Sequence, residues 1–119
     1  MVFAEVLKET GGRLENCVGL VVMGMDGIPI EKLILDDGVN FEMLSTECTT
    51  ILRNTRQASQ DVGGGRLREL IIQTDSFVVL VEAITEDYVL LGTLRPGGPY
   101  GRARYLLRQA SSKLEKEFL

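Results

Sequence analysis

The chain has 119 residues, 45% hydrophobic and 25% charged, with a formal net charge of −4 and no histidine or tryptophan. That balance suits one soluble globular domain over residues 1–119, long enough to bury a core of its own. It excludes a strongly basic nucleic-acid footprint and, without histidine, every Ser-His-Asp or Cys-His catalytic arrangement. Residues 1–65 hold ten acids and five bases and residues 66–119 seven and eight, so neither half offers a basic field. No apolar run reaches the roughly 18 residues that read as a membrane-spanning helix. The opening Met1–Glu9 mixes acids into its apolar pattern and lacks a basic n-region, which is unlike a signal peptide. A cytoplasmic protein is expected.

Val2, Phe3, Val6 and Leu7 recur at roughly helical spacing, predicting a first helix over about residues 2–10, stopped by Thr10-Gly11-Gly12. Val18 to Met23 is apolar on both strand faces, as a strand covered on two sides requires. With a second strand at about residues 28–35 it forms a hairpin, whose Asp26-Gly27 can supply the positive φ angles of a two-residue turn. Pro29 removes a backbone donor and places the second strand at or near an edge.

Asn40 is a candidate N-cap for a second helix over about residues 41–61, with Glu42 suited to its dipole. Phe41, Leu44, Cys48, Ile51, Leu52, Thr55, Ala58 and Val62 make its predicted core stripe. Met43, Thr46, Glu47, Thr50, Arg53, Asn54 and Gln57 take the opposite side and flank. Gly63-Gly64-Gly65 ends the helix, and a mobile stop is the ordinary reading of such a triplet. Three strands follow at about residues 66–73, 77–84 and 88–94, joined by links short enough only for hairpins. The first is mixed in character and suits an edge; Phe77 to Val81 is apolar on both faces and suits the interior. Pro96-Gly97-Gly98-Pro99 precedes a third helix over about residues 101–118, with Ala103, Leu106, Leu107, Ala110, Leu114 and Phe118 on its apolar face. The order α-β-β-α-β-β-β-α makes an α+β fold, a five-stranded antiparallel sheet covered by helices on both faces.

Chemistry-bearing groups are few. Gly97, Gly98 and Gly101 open the third helix beside Arg102 and Arg104, a candidate anion site or small-ligand sensor loop that lacks the Lys-Ser/Thr ending of a P-loop. Asp36-Asp37 and Glu86-Asp87 read as solvated turn residues. Glu82 interrupts an apolar strand and is expected to mark where that strand emerges toward solvent, a buried functional carboxylate being the alternative. Cys17 and Cys48 occupy core-type positions with no activating base or metal-ligand companion, so neither a disulfide, a nucleophile, a metal nor a cofactor site is expected.

The hairpin Gly-Leu-Val-Val-Met-Gly-Met-Asp-Gly-Ile-Pro-Ile, the helix ending Gln-Ala-Ser-Gln-Asp-Val and the meander Leu-Ile-Ile-Gln-Thr-Asp-Ser-Phe-Val-Val-Leu-Val carry a resemblance. Together with Pro-Gly-Gly-Pro-Tyr-Gly-Arg-Ala-Arg, they make almost the whole chain resemble the roadblock family of dynein light chain and small-GTPase regulator domains, in its stand-alone bacterial form. The resemblance implies a profilin-like sheet of order 2-1-5-4-3, with the second helix on one face and the first and third on the other. It also implies a homodimer paired through the third strand at Arg68, Glu69, Leu70 and Ile71, with Met43 and Glu47 of the second helix at the two-fold. Thr50, Arg53, Asn54 and Gln57 would then present a face to a Ras-like small GTPase. Such a protein is a non-enzymatic regulator or scaffold, acting like a GTPase-activating protein without carrying the active site. Arg53 or Arg56 as an arginine finger is therefore not expected.

Overall fold

The computed structural model describes residues 2–118, so Met1 and Leu119 of the expected 1–119 domain lie outside the described residues. Helix α1 (Val2–Arg13) leads into β1 (Cys17–Gly24) and β2 (Pro29–Ile34), and α2 (Phe41–Asp61) follows. Strands β3 (Glu69–Gln73), β4 (Val78–Ala83) and β5 (Tyr88–Leu94) precede α3 (Tyr100–Glu115) and a 3-10 turn over Lys116–Phe118. All pairings are antiparallel, in the order β2-β1-β5-β4-β3.

The doubly apolar strands are the central ones. Leu20, Val22, Leu80 and Leu90 point to one face, against α1 and α3 residues such as Leu7, Leu107 and Leu114. Val21, Met23, Val79, Val81 and Leu91 point to the other, where α2 supplies Phe41, Cys48 and Leu52. Five strands about 4.8 Å apart are wider than one helix of about 10–12 Å. The α2 face is therefore covered along its centre, and Leu70 and Ile72 of β3 are only half-buried there.

Several local expectations change. Helix α1 runs through Gly11 and Gly12 to Arg13, because Gly11 lies against β2, where a Cβ would come within 2.6 Å of Leu33 Cδ2. The chain turns instead at Asn16, with φ of 62°. The β1–β2 loop has three residues, not two. Gly27 N–H donates to Gly24 O, Gly24 N–H donates to Ile28 O, and only Gly27 takes a positive φ (86°). This is a type I turn closed by a bulge, and a separate bulge at Ile30 shifts the ladder between Val22 and Met23. Strand β3 starts at Glu69 rather than near residue 66. The third helix ends at Glu115, and Phe118, expected on its apolar face, sits in the 3-10 turn stacked on Tyr88 with ring centres 4.3 Å apart.

The core stripe of α2 is rotated from the predicted one. Phe41, Ser45, Cys48, Thr49 and Leu52 are buried. Ile51 is 40% and Val62 82% exposed, Ala58 is exposed and Leu44 half-buried. The helix starts where expected, with Asn40 Oδ1 accepting from Met43 N–H at 3.0 Å. Asn40→Ala should destabilise the protein by about 0.5–2 kcal/mol while Asn40→Asp keeps its stability. Urea denaturation of both variants measures this, and equal midpoints for Ala and Asn would show that the cap is not needed.

Candidate interaction site: the open edge and the second helix

At the two ends of the β3–β4 ladder, Ala83 N–H donates to Arg68 O and Thr74 N–H to Phe77 O, each at 2.9 Å. Antiparallel ladders alternate hydrogen-bonded and non-bonded pairs. Leu70 and Ile72, opposite Val81 and Val79, therefore turn their backbone groups inward. Glu69, Ile71 and Gln73 turn theirs outward, and β3 is the last strand of the sheet. The Ile71 side chain is 46% exposed as well.

The β3 side of α2 is equally uncovered. A groove of about 580 Å³ runs between its N-terminal end and the β3–β4 turn, lined by Val39, Met43, Leu44, Glu47 and Phe77 among others. Met43 is 62% exposed at its rim, and Arg95 and Asp36 form an ion pair at its other end. Thr50, Arg53, Asn54 and Gln57 are all exposed and, at i, i+3, i+4 and i+7, share one face of the helix. Arg56 differs from Arg53: its guanidinium is held by the Glu86 carbonyl and is half-buried.

On the opposite face of the same edge lies an ionic network. Glu69 and Glu82 stand directly opposite each other in the β3–β4 register. Arg104 donates to Glu69 Oε1 at 2.7 and 3.0 Å, and Arg108 to Glu69 Oε2 at 3.0 Å. Glu82 is only 4% exposed, which corrects the expectation that it faces solvent. Its strand does not emerge there; its partners come from β3 and α3. Burial, with a hydrogen bond to Glu69 and that group's charge added, pushes Glu82 up to about 8. The Glu82 hydrogen bond and the two arginines pull Glu69 down to about 2. Sequence reading missed this network; its one signal was an acid inside an apolar strand.

The 97–101 loop keeps much of its hydrogen bonding to itself. Gly97 N–H donates to the Tyr100 hydroxyl at 2.7 Å and Ala103 N–H to Pro99 O at 3.1 Å. Gly101 and Arg102 are exposed, and the cavity between Gly98, Arg102 and Arg13 holds only about 10 Å³. No group of three or more Cys, Asp or Glu side chains is placed to hold a metal among the described residues. None of the described helices is long and apolar enough to cross a membrane.

The Roadblock/LC7 domain family matches residues 3–93. The chain belongs to that family. Its fold is shared with MglB of Myxococcus xanthus, at a TM-score of 0.89 and 13% identity over 99% of this chain and 95% of that one. It is shared with a Roadblock/LC7 domain from Streptomyces avermitilis at 0.85 and 15%, covering 96% and 95%. MglC of Myxococcus xanthus matches at 0.71 and 24%, covering 98% and 99%. No curated protein sequence matches the chain.

The two thiols of this roadblock domain are free. Burial pushes Cys17 up to about 11 against the opposing Gly19 hydrogen bond, and burial with the Glu47 charge pushes Cys48 up to about 11. From an ordinary value of 9.0, the thiolate at pH 8 is about a hundredfold scarcer than in the unfolded chain. The native protein should therefore react slowly with Ellman's reagent at pH 8 and release both thiols promptly in guanidinium. Rapid native labelling of Cys48 would show that α2 opens readily.

Proposed function

We propose that this roadblock domain is a non-enzymatic, cytoplasmic homodimer that regulates or scaffolds a Ras-like small GTPase. One observation carries the reading: the outward backbone groups of β3 and the uncovered apolar flank of α2 lie on the same side of the molecule. An unprotected strand edge is a template for another strand. Pairing β3 with its two-fold mate would continue the sheet and set the two α2 helices side by side. Because α2 runs from the β3–β4 turn back toward the start of β3, such mates are antiparallel. Met43, Leu44, Glu47 and Ile51 would then meet the other copy, with Arg68, Glu69, Leu70 and Ile71 at the strand seam.

Thr50, Arg53, Asn54 and Gln57 of both copies would form one polar platform for the GTPase. Family membership supports a regulatory rather than a catalytic role, and the neighbours MglB and MglC are consistent with it. Regulation needs differential affinity, since a partner shifts the nucleotide cycle only by the difference it makes between states. Neither arginine of α2 is required as a finger: Arg56 is already tied to Glu86.

Ile71→Pro removes an outward donor without touching the inward ladder, and should convert the dimer to monomer in analytical ultracentrifugation. Leu70→Pro breaks the fold's own ladder and should lower stability as well. A dimer that survives Ile71→Pro would place the interface elsewhere. Pull-down of small GTPases loaded with GDP or a GTP analogue tests the second half of the reading. A binding preference for one nucleotide state is expected; equal capture of both leaves a scaffold, and capture of none removes the GTPase as partner.

A further inference from the structure

The carboxyl groups of Glu69 and Glu82 are matched across a pair of the β3–β4 ladder that exchanges no backbone hydrogen bonds, where opposing side chains stand closest. Two ionised carboxylates there would accept only and repel. The cations offset this only in part. Arg104 and the Nη2 of Arg108 are spent on Glu69, and Arg108 Nε comes no closer to Glu82 Oε1 than 3.6 Å, beyond a normal hydrogen bond. Glu82 Oε2 is buried and has no hydrogen-bond donor.

Among the described residues, nothing else packed around Glu82 supplies one. Strand β5 presents Leu90 opposite it. From α3, the Ser111 hydroxyl is committed to Ala83 O at 2.9 Å. Arg66, Arg68, Ser112 and Glu115 line the adjoining cavity of about 440 Å³ without a hydrogen bond to Glu82. A proton on Glu82 answers the whole geometry: the acid becomes a donor to Glu69, and the repulsion disappears.

We propose that Glu82 and Glu69 share one proton at neutral pH, and that this proton is a lock fastening the start of edge strand β3 to the sheet. The lock acts within one protomer and therefore stands or falls separately from the dimer.

The direction with pH follows from linkage. Opening β3 returns Glu82 toward its ordinary value of 4.5, while in the closed sheet it lies near 8. Between these values the closed form binds more protons, so closure weakens as pH rises, by up to about tenfold per pH unit, and levels off above the upper value. Glu69 shifts the opposite way, but its window lies between its ordinary 4.5 and about 2, below this range. The arginines stay charged throughout.

Hydrogen exchange of the inward amides of Leu70 and Ile72, normalised to those of β5, reads the lock directly. Protection in the native chain should fall between pH 5 and 8 and then level off, whereas Glu82→Gln, a permanent neutral donor, should show a flat ratio. A flat native profile, or the same decline in Glu82→Gln, overturns the proposal. Should the variant fail to fold, carbon-detected NMR titration of the native Glu82 carboxyl decides the question. A midpoint near neutral or above supports the lock, and one in the ordinary carboxylate range removes it.

Discussion

The structure depends on one mismatch of widths. A sheet of five strands has central strands that are apolar on both sides, and the chain has three helices to cover them. Two go to one face, where α1 leans on β2 through the close approach at Gly11 and α3 lies over β4 and β5. One remains for the other face, and a single helix of about 10–12 Å cannot cover strands spanning about twice that. Placed over the centre it seals β1, β5 and β4 and leaves β3 half-dressed. The groove beside Leu44 and Phe77 is that shortage made visible. In the proposed dimer, a second copy's α2 would cover that gap.

The same mismatch explains the character of β3. A strand with an open edge and one incompletely covered face has little apolar burial to hold it. Its five residues are anchored by Leu70 and Ile72 on the α2 side, both only half-buried. On the α3 side the anchor is ionic: Glu69 reaches Arg104 and Arg108 across to the helix. Arg108 is well exposed, so screening limits what that pair alone contributes. The buried Glu82 beside it is the part of the anchor that solvent does not weaken.

The order of elements, the doubly apolar strands, the edge position of β2 and the Asn40 cap were legible because each rests on residues adjacent in sequence. The errors fall where distant segments decide. Gly11-Gly12 reads as a helix stop until β2 is known to press against Gly11. Along α2 the more apolar stripe is not the buried one; the sheet beneath takes the stripe through Ser45 and Thr49 and leaves Ile51 and Val62 outside. Glu82 reads as a strand turning toward water because its partners, Glu69 and Arg108, belong to other elements. The candidate edge and helix face were visible as composition, whereas their lying on one side of the molecule was not.

That rotation of α2 bears on the proposed dimer. Had the helix buried Leu44, Ile51 and Ala58, its β3 side would be closed and the edge strand would stand alone, too short to hold a partner by backbone bonds only. By burying small polar groups at Ser45 and Thr49 on the β2 side, the chain keeps its larger apolar side chains for the side where a sheet can continue. Thr49 satisfies itself by donating to Ser45 O at 2.8 Å, whereas the buried Ser45 hydroxyl has no hydrogen-bond partner among the described residues. In the dimer proposed above, that uncovered flank of α2 would be the surface that meets the second copy.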